Sequence, residues 1–119
     1  MEIYKEFSFE AAHYLPAVPP EHKCKQIHGH SYLFRVHLKG KPGTQSGWIM
    51  DFKEIKNAVS PIVVQLDHKM LNEIPGLENP TAENITIWLW QRLKPSLENL
   101  SRIELKETAT SGVIYDGMP

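Results

Sequence analysis

The only cysteine of this chain and two of its six histidines lie within seven residues, Cys24-Lys25-Gln26-Ile27-His28-Gly29-His30. Imidazole nitrogen and thiolate sulfur are the donors that hold zinc and neighbouring divalent metals, and a thiolate is also a nucleophile and base. Two histidines two apart on a strand point to the same side, but alone they are more often surface or core residues than ligands. His13 changes that reading, because it continues the apolar parity of an upstream strand and can face the same side. Three neutral imidazoles leave the fourth tetrahedral position of zinc open, as catalytic sites do; Cys24 as a fourth ligand would close the site and make it structural. The open three-histidine site, His13, His28 and His30, is the preferred reading, and the donor set also accepts iron or another divalent metal.

Other residues have chemistry to offer. Cys24 has Lys23, Lys25 and Gln26 beside it, a poor setting for a buried apolar thiol. Flanking positive charge and a nearby metal would lower its pKa and favour a reactive role. Asp67-His68 has the composition of an acid–base pair, although a helix-terminating polar pair explains it equally well. Glu107 is a carboxylate on the apolar parity of a strand, suited to accepting from a row of ligand N–H groups, or to a buried ion pair with an arginine. Tyr32, Phe34, Trp88 and Trp90 read as core, and His22 and His37 as surface.

These residues are positioned by elements legible in the hydrophobic pattern. Ile3, Phe7, Phe9, Ala11 and His13 alternate with Glu2, Tyr4, Glu6, Ser8 and Glu10, with Lys5 out of pattern, which predicts a half-buried strand. Residues 15–27 hold Pro16, Pro19 and Pro20 and no periodicity, a long loop of the kind that often carries function. Alternation returns over 28–39, with His28, His30, Tyr32, Phe34, Val36 and Leu38 on one side. The two strands are expected to pair antiparallel, with the three imidazoles converging at one end of an apolar face. Trp48-Ile49-Met50 predicts a short extended run. Asp51 and Glu54 open an amphipathic helix through Leu66 that Pro61 should kink or split. Thr81 caps a second helix ending before Pro95. Ile103 to Ala109 predicts a third long strand and Val113 to Tyr115 a short fourth. The order β-β-α-α-β-β is an α+β domain, two helices on one face of a four-stranded antiparallel sheet whose other face is charged.

Composition sets bounds. With 119 residues the chain is expected to form one domain over 1–119. A net charge of −1 gives no general nucleic-acid or membrane-surface footprint. One cysteine excludes an intrachain disulfide and suits a reducing compartment. No apolar run approaches the roughly 20 residues of a membrane span, and the N-terminus lacks a secretory pattern, so the cytoplasm is expected.

The pattern Cys24-x-x-x-His28-Gly-His30, with Phe9-Glu-Ala-Ala-His13 before it and Asp51-Phe52, Leu66-Asp67-His68, Asn79-Pro80-Thr81-x-Glu83 and Lys106-Glu107-Thr108 after it, resembles the 6-pyruvoyltetrahydropterin synthase superfamily. The resemblance runs from about residue 5 to the C-terminus. The three-residue gap between Cys24 and His28 is similar to that of its 6-carboxytetrahydropterin synthases, which serve queuosine synthesis. The resemblance implies a tunnelling fold, in which three subunit sheets join into a barrel and trimers stack in pairs. It implies Zn²⁺ on His13, His28 and His30 and Cys24 as proton acceptor. Asp67 and His68 would form a relay contributed across a subunit interface, Glu107 would anchor a pterin ring, and Thr81 would assist from its helix start. The implied reaction converts 7,8-dihydroneopterin triphosphate to 6-carboxytetrahydropterin with release of acetaldehyde and triphosphate; Lys23 or Lys25 would steer the triphosphate. Stopping at triphosphate elimination, as a 6-pyruvoyl synthase does, is the alternative enzyme, and a non-catalytic zinc-stabilised pterin-binding module the alternative of another class.

Overall fold

A computed structural model describes residues 1–118. The two predicted long strands are present at full length, β1 (Glu2–His13) and β2 (His28–Lys39). They pair antiparallel without interruption from Glu2 opposite Lys39 to His13 opposite His28. Helix α1 (Phe52–Leu66), strand β3 (Lys69–Met70), helix α2 (Ala82–Leu93) and strands β4 (Leu100–Thr108) and β5 (Ser111–Tyr115) follow. The spatial order is β3-β1-β2-β4-β5.

The sheet therefore has five strands, not four, and it is mixed. The extra strand is two residues long and lies parallel to β1 at Ala11 and Ala12. Two residues carry no periodicity, so β3 leaves no mark in the sequence pattern. The short extended run expected over Trp48 to Met50 gives way to irregular chain at Trp48 and bends at Ile49 and Met50. Pro61 does not split α1, which is assigned as one helix. The missing N–H leaves the Asn57 carbonyl without its intrahelical donor, but both residues are exposed and water can replace it.

Alternation put the right residues inside. Phe9, Ala11, Tyr32, Phe34, Val36, Leu38, Ile103 and Leu105 pack from one face of the sheet against Ile55, Val59 and Leu66 of α1 and Ile85, Leu89 and Leu93 of α2. The opposite face carries crossed charges: Glu6 accepts from Arg35 at 2.6 Å and Glu2 from Arg102 at 3.3 Å. His37 departs from its expected place at the surface. The ladder between β2 and β4 shifts at His37/Leu38, pairing Leu38 with Leu100 and leaving Ser101 unpaired. Beside this bulge His37 is buried against the Tyr4 ring, with Nε2 3.3 Å from Glu104. Among the described residues no helix is long and apolar enough to cross a membrane.

A candidate metal and pterin site at the end of the first hairpin

Strand pairing builds the site. His13 ends β1 directly opposite His28, the first residue of β2, and Ala11 faces His30. Gly29 between the two histidines turns to the other face, where a Cβ would press to 3.3 Å from the Ala11 carbonyl. The three rings stand edge to face, with centroids 4.6, 5.1 and 5.0 Å apart. One nitrogen from each lies within 4.8 Å of the others. Among the described residues this is the one cluster of histidine, cysteine or carboxylate groups able to hold a metal ion, and Cys24 is outside it.

The surroundings prepare those nitrogens as ligands. His13 Nδ1–H donates to the Pro80 carbonyl at 2.8 Å, and His28 Nδ1–H donates to the Gln26 carbonyl at 2.8 Å. Carbonyls only accept, so both rings are fixed with the proton on Nδ1 and a lone pair on Nε2. His30 Nε2 is buried with no hydrogen-bond partner. An orphaned imidazole nitrogen beside two oriented lone pairs fits a metal ion. Burial, opposed by the Pro80 contact and then reinforced by His28, holds His13 below its ordinary value of 6.5, toward the neutral form that a ligand needs.

Around the cluster, Glu107 continues the buried parity of β4 past Leu105 and is 28% exposed, with Oε1 3.8 Å from His30 Nε2. Among the described residues it pairs with no arginine: Arg35 and Arg102 are engaged by Glu6, Glu104 and Glu2. Thr81 caps α2, its Oγ1 accepting from Asn84 N–H at 3.1 Å, and its neighbour Pro80 supplies the carbonyl that holds His13. Cys24 sits in a single 3₁₀ turn, Lys23–Lys25, capped by His22, whose Nδ1 accepts from Cys24 N–H at 3.1 Å. The Cys24 carbonyl accepts from Leu15 N–H at 2.8 Å, which ties the thiol-bearing turn to the residues just past His13. The Lys25 ammonium is committed to the Pro16 and Val18 carbonyls.

Asp67 and His68 do point together. His68 Nδ1 is 3.1 Å from Asp67 Oδ2, while Asp67 Oδ1 accepts from Glu10 N–H at 2.9 Å. The Glu10 N–H, then the His68 side chain, holds the Asp67 carboxyl below its ordinary value. His68 adopts a φ of 59° and its side chain is 79% exposed. It shares with His30, Ser31, Glu10 and Lys69 the lining of an open depression of about 600 Å³.

Three supporting residues escaped the sequence reading. The Asn72 amide brackets Tyr14, accepting from its N–H at 3.0 Å and donating to its carbonyl at 2.8 Å, which fixes the strand end at His13. The other two are His22, as the cap of the Cys24 turn, and Tyr32, whose hydroxyl meets His13. An asparagine or a histidine in a polar stretch gives no local sign of such contacts.

The family model for 6-pyruvoyl tetrahydropterin synthase matches residues 2–118. The chain belongs to that family. It is 43% identical over 119 residues to the 6-carboxy-5,6,7,8-tetrahydropterin synthase of Synechocystis sp., covering 95% of this chain and 91% of that one. It is 38% identical over 114 residues to the dihydroneopterin monophosphate aldolase of Pyrococcus furiosus, covering 93% and 92%. The solved 6-pyruvoyl tetrahydropterin synthase of Caenorhabditis elegans superposes with a TM-score of 0.92 at 25% identity, over 99% of this chain and 96% of that one. The α+β architecture is thus the tunnelling fold of this family, and the chain is an enzyme of its pterin-processing class.

Proposed function

We propose that this enzyme converts 7,8-dihydroneopterin triphosphate and water to 6-carboxy-5,6,7,8-tetrahydropterin, acetaldehyde and triphosphate, a step toward 7-deazapurines of the queuosine type. The observation that carries the reading is the separation of roles around one hairpin end. Three imidazoles form an open ligand set without Cys24, and the Glu107 carboxylate borders it. The 43% identity to a protein of that activity supports it.

In this reading His13, His28 and His30 hold Zn²⁺, which when bound supplies Lewis acidity toward the substrate's side-chain oxygens and acidifies the adjoining C–H bonds. Glu107 accepts the N–H edge of the pterin ring and fixes its orientation. The Thr81 oxygen is used by the helix cap, so its O–H remains to donate to the ligand. Cys24 takes a proton from the side-chain carbon on one face, and His68, oriented by Asp67, exchanges one on the other. Triphosphate departs as the leaving group of an elimination. The exposure of His68 suits a side chain that completes the site of a neighbouring copy. Two sheet edges support such copies, since β3 covers β1 only at Ala11 and Ala12 and β5 has no outer neighbour. Three chains joined edge to edge into a barrel, and two such rings stacked, give the homohexamer of this reading. A lone free cysteine agrees with a cytoplasmic enzyme.

Two other outcomes are favoured by names among the relatives: elimination of triphosphate alone, giving the 6-pyruvoyl product, and retro-aldol cleavage of a dihydroneopterin monophosphate. Incubation with the triphosphate and with the monophosphate separates them, with the pterin product identified by mass spectrometry. The 6-carboxy product from the triphosphate is expected. A pyruvoyl product from the triphosphate, or cleavage confined to the monophosphate, would replace this reading. A non-catalytic module would yield no product in either arm.

A further inference from the structure

We infer that Asn72 is a positioning residue of the metal site: by holding both main-chain polar groups of Tyr14, its amide fixes the backbone at His13 and so sets zinc affinity through that ligand. The inference rests on the metal reading of the three histidines. It adds to that reading a residue that is no ligand itself.

His13 stands where the sheet stops supporting its strand. The ladder with β2 ends at the pair His13 and His28, and the ladder with β3 ends one residue earlier, at Ala12 opposite Met70. The chain then leaves the sheet, and Leu15 N–H is bonded to the Cys24 carbonyl. Between these points Tyr14 N–H donates to Asn72 Oδ1 at 3.0 Å, and Asn72 Nδ2 donates to the Tyr14 carbonyl at 2.8 Å. A main-chain N–H needs an acceptor and a carbonyl a donor, so the pair of bonds also fixes which way the amide faces. The side chain thus supplies the next rung, which β3 lacks. The Tyr14 N–H shares a rigid peptide plane with the His13 carbonyl. Holding that plane holds ψ of His13, while the Pro80 carbonyl holds its ring through Nδ1. Backbone and ring of one ligand are fastened from two different loops.

Asn72 is itself well anchored. It sits in a single 3₁₀ turn, Leu71–Glu73, directly after β3, and its neighbour Leu71 is fully buried in the core. The other end of the same segment is tied to β1 in a similar way, since Asp67 Oδ1 accepts from Glu10 N–H at 2.9 Å. Residues that orient a metal ligand from behind commonly carry about ten- to a hundredfold in metal affinity.

The alternative is that Asn72 only fastens a loop, and His13 keeps its place without it. Zinc affinity is measured by competition with chromophoric chelators, well below the melting temperature of each variant, with near-UV circular dichroism confirming that it is folded. Asn72→Ala should weaken zinc binding by about ten- to a hundredfold. Introduced into His13→Ala, where that ligand is gone, the same change should cost less than about twofold. Unchanged affinity in the wild-type background, or an equal loss in both backgrounds, would overturn the inference and leave the metal reading standing. Failure of wild type to bind zinc would remove both. Should Asn72→Ala not fold, Asn72→Asp takes its place. It can still accept from Tyr14 N–H but turns an oxygen toward the Tyr14 carbonyl, so it should weaken zinc in the same His13-dependent way. Wild-type affinity in that variant would overturn the inference.

Discussion

His13 shows how much a single residue can be asked to do. It closes a strand, reaches the Pro80 carbonyl and presents one nitrogen to a cluster, all while 1% exposed. Burial keeps its pKa below 6.5, so the folded chain resists a proton that the unfolded chain accepts. That contribution to stability is present above about pH 6.5 and is lost as pH falls through the lower folded value. Thermal unfolding of the metal-free protein should show the loss between pH 7 and pH 5, and His13→Gln should flatten that part of the profile. Cys24 carries the second prediction at this scale. Cys24→Ala should keep the full zinc content and lower kcat by about 10²- to 10⁴-fold, the range for removing a proton-transfer group. Loss of zinc together with activity would instead return Cys24 to the ligand set.

Residue parity made most of this site legible. His13, His28 and His30 could be placed on one side because strands alternate, and Glu107 stood out because a carboxylate broke an apolar run. What stayed hidden depended on distant partners. Asn72 brackets a strand end 58 residues away, and His37 lies buried against Tyr4 and Glu104 of the two neighbouring strands. Local pattern shows which face a side chain takes, and it does not show what waits there.

Elements hold the site by their ends. The β1–β2 hairpin carries the histidines at its loop end, and the start of α2 braces them, because the loop that caps the helix at Thr81 also seats His13 at Pro80. Thr81→Ala should cost about 1 kcal/mol of stability, the usual worth of an N-cap, while Thr81→Ser restores it. Chemical denaturation reads the stability, and zinc affinity reads whether loosening the cap reaches His13. The sequence signalled this helix start clearly, since the cap and the apolar stripe are both local. It gave no sign of β3, whose two residues are ordered by pairing with β1 and not by any pattern of their own.

The whole molecule is drawn out, 58 × 26 × 25 Å, with a radius of gyration of 15.4 Å. A compact domain of this length has a radius near ~13.5 Å. The excess comes with two long paired strands and open sheet edges, and an open apolar edge invites another strand. On β5 the outward Ile114 is 69% exposed. Ile114→Pro should break edge pairing and release monomers, which light scattering would detect as a fall in mass; an unchanged mass would mean that β5 is not the joint. If His68 completes a neighbour's site, those monomers should also be inactive while still binding zinc.

In the proposed reaction this site cleaves a carbon–carbon bond as well as eliminating triphosphate. The decisive measurement quantifies acetaldehyde and triphosphate in the same quenched reaction of the zinc-loaded enzyme with 7,8-dihydroneopterin triphosphate. One acetaldehyde is expected for each triphosphate released; triphosphate released without acetaldehyde would rule the cleavage out.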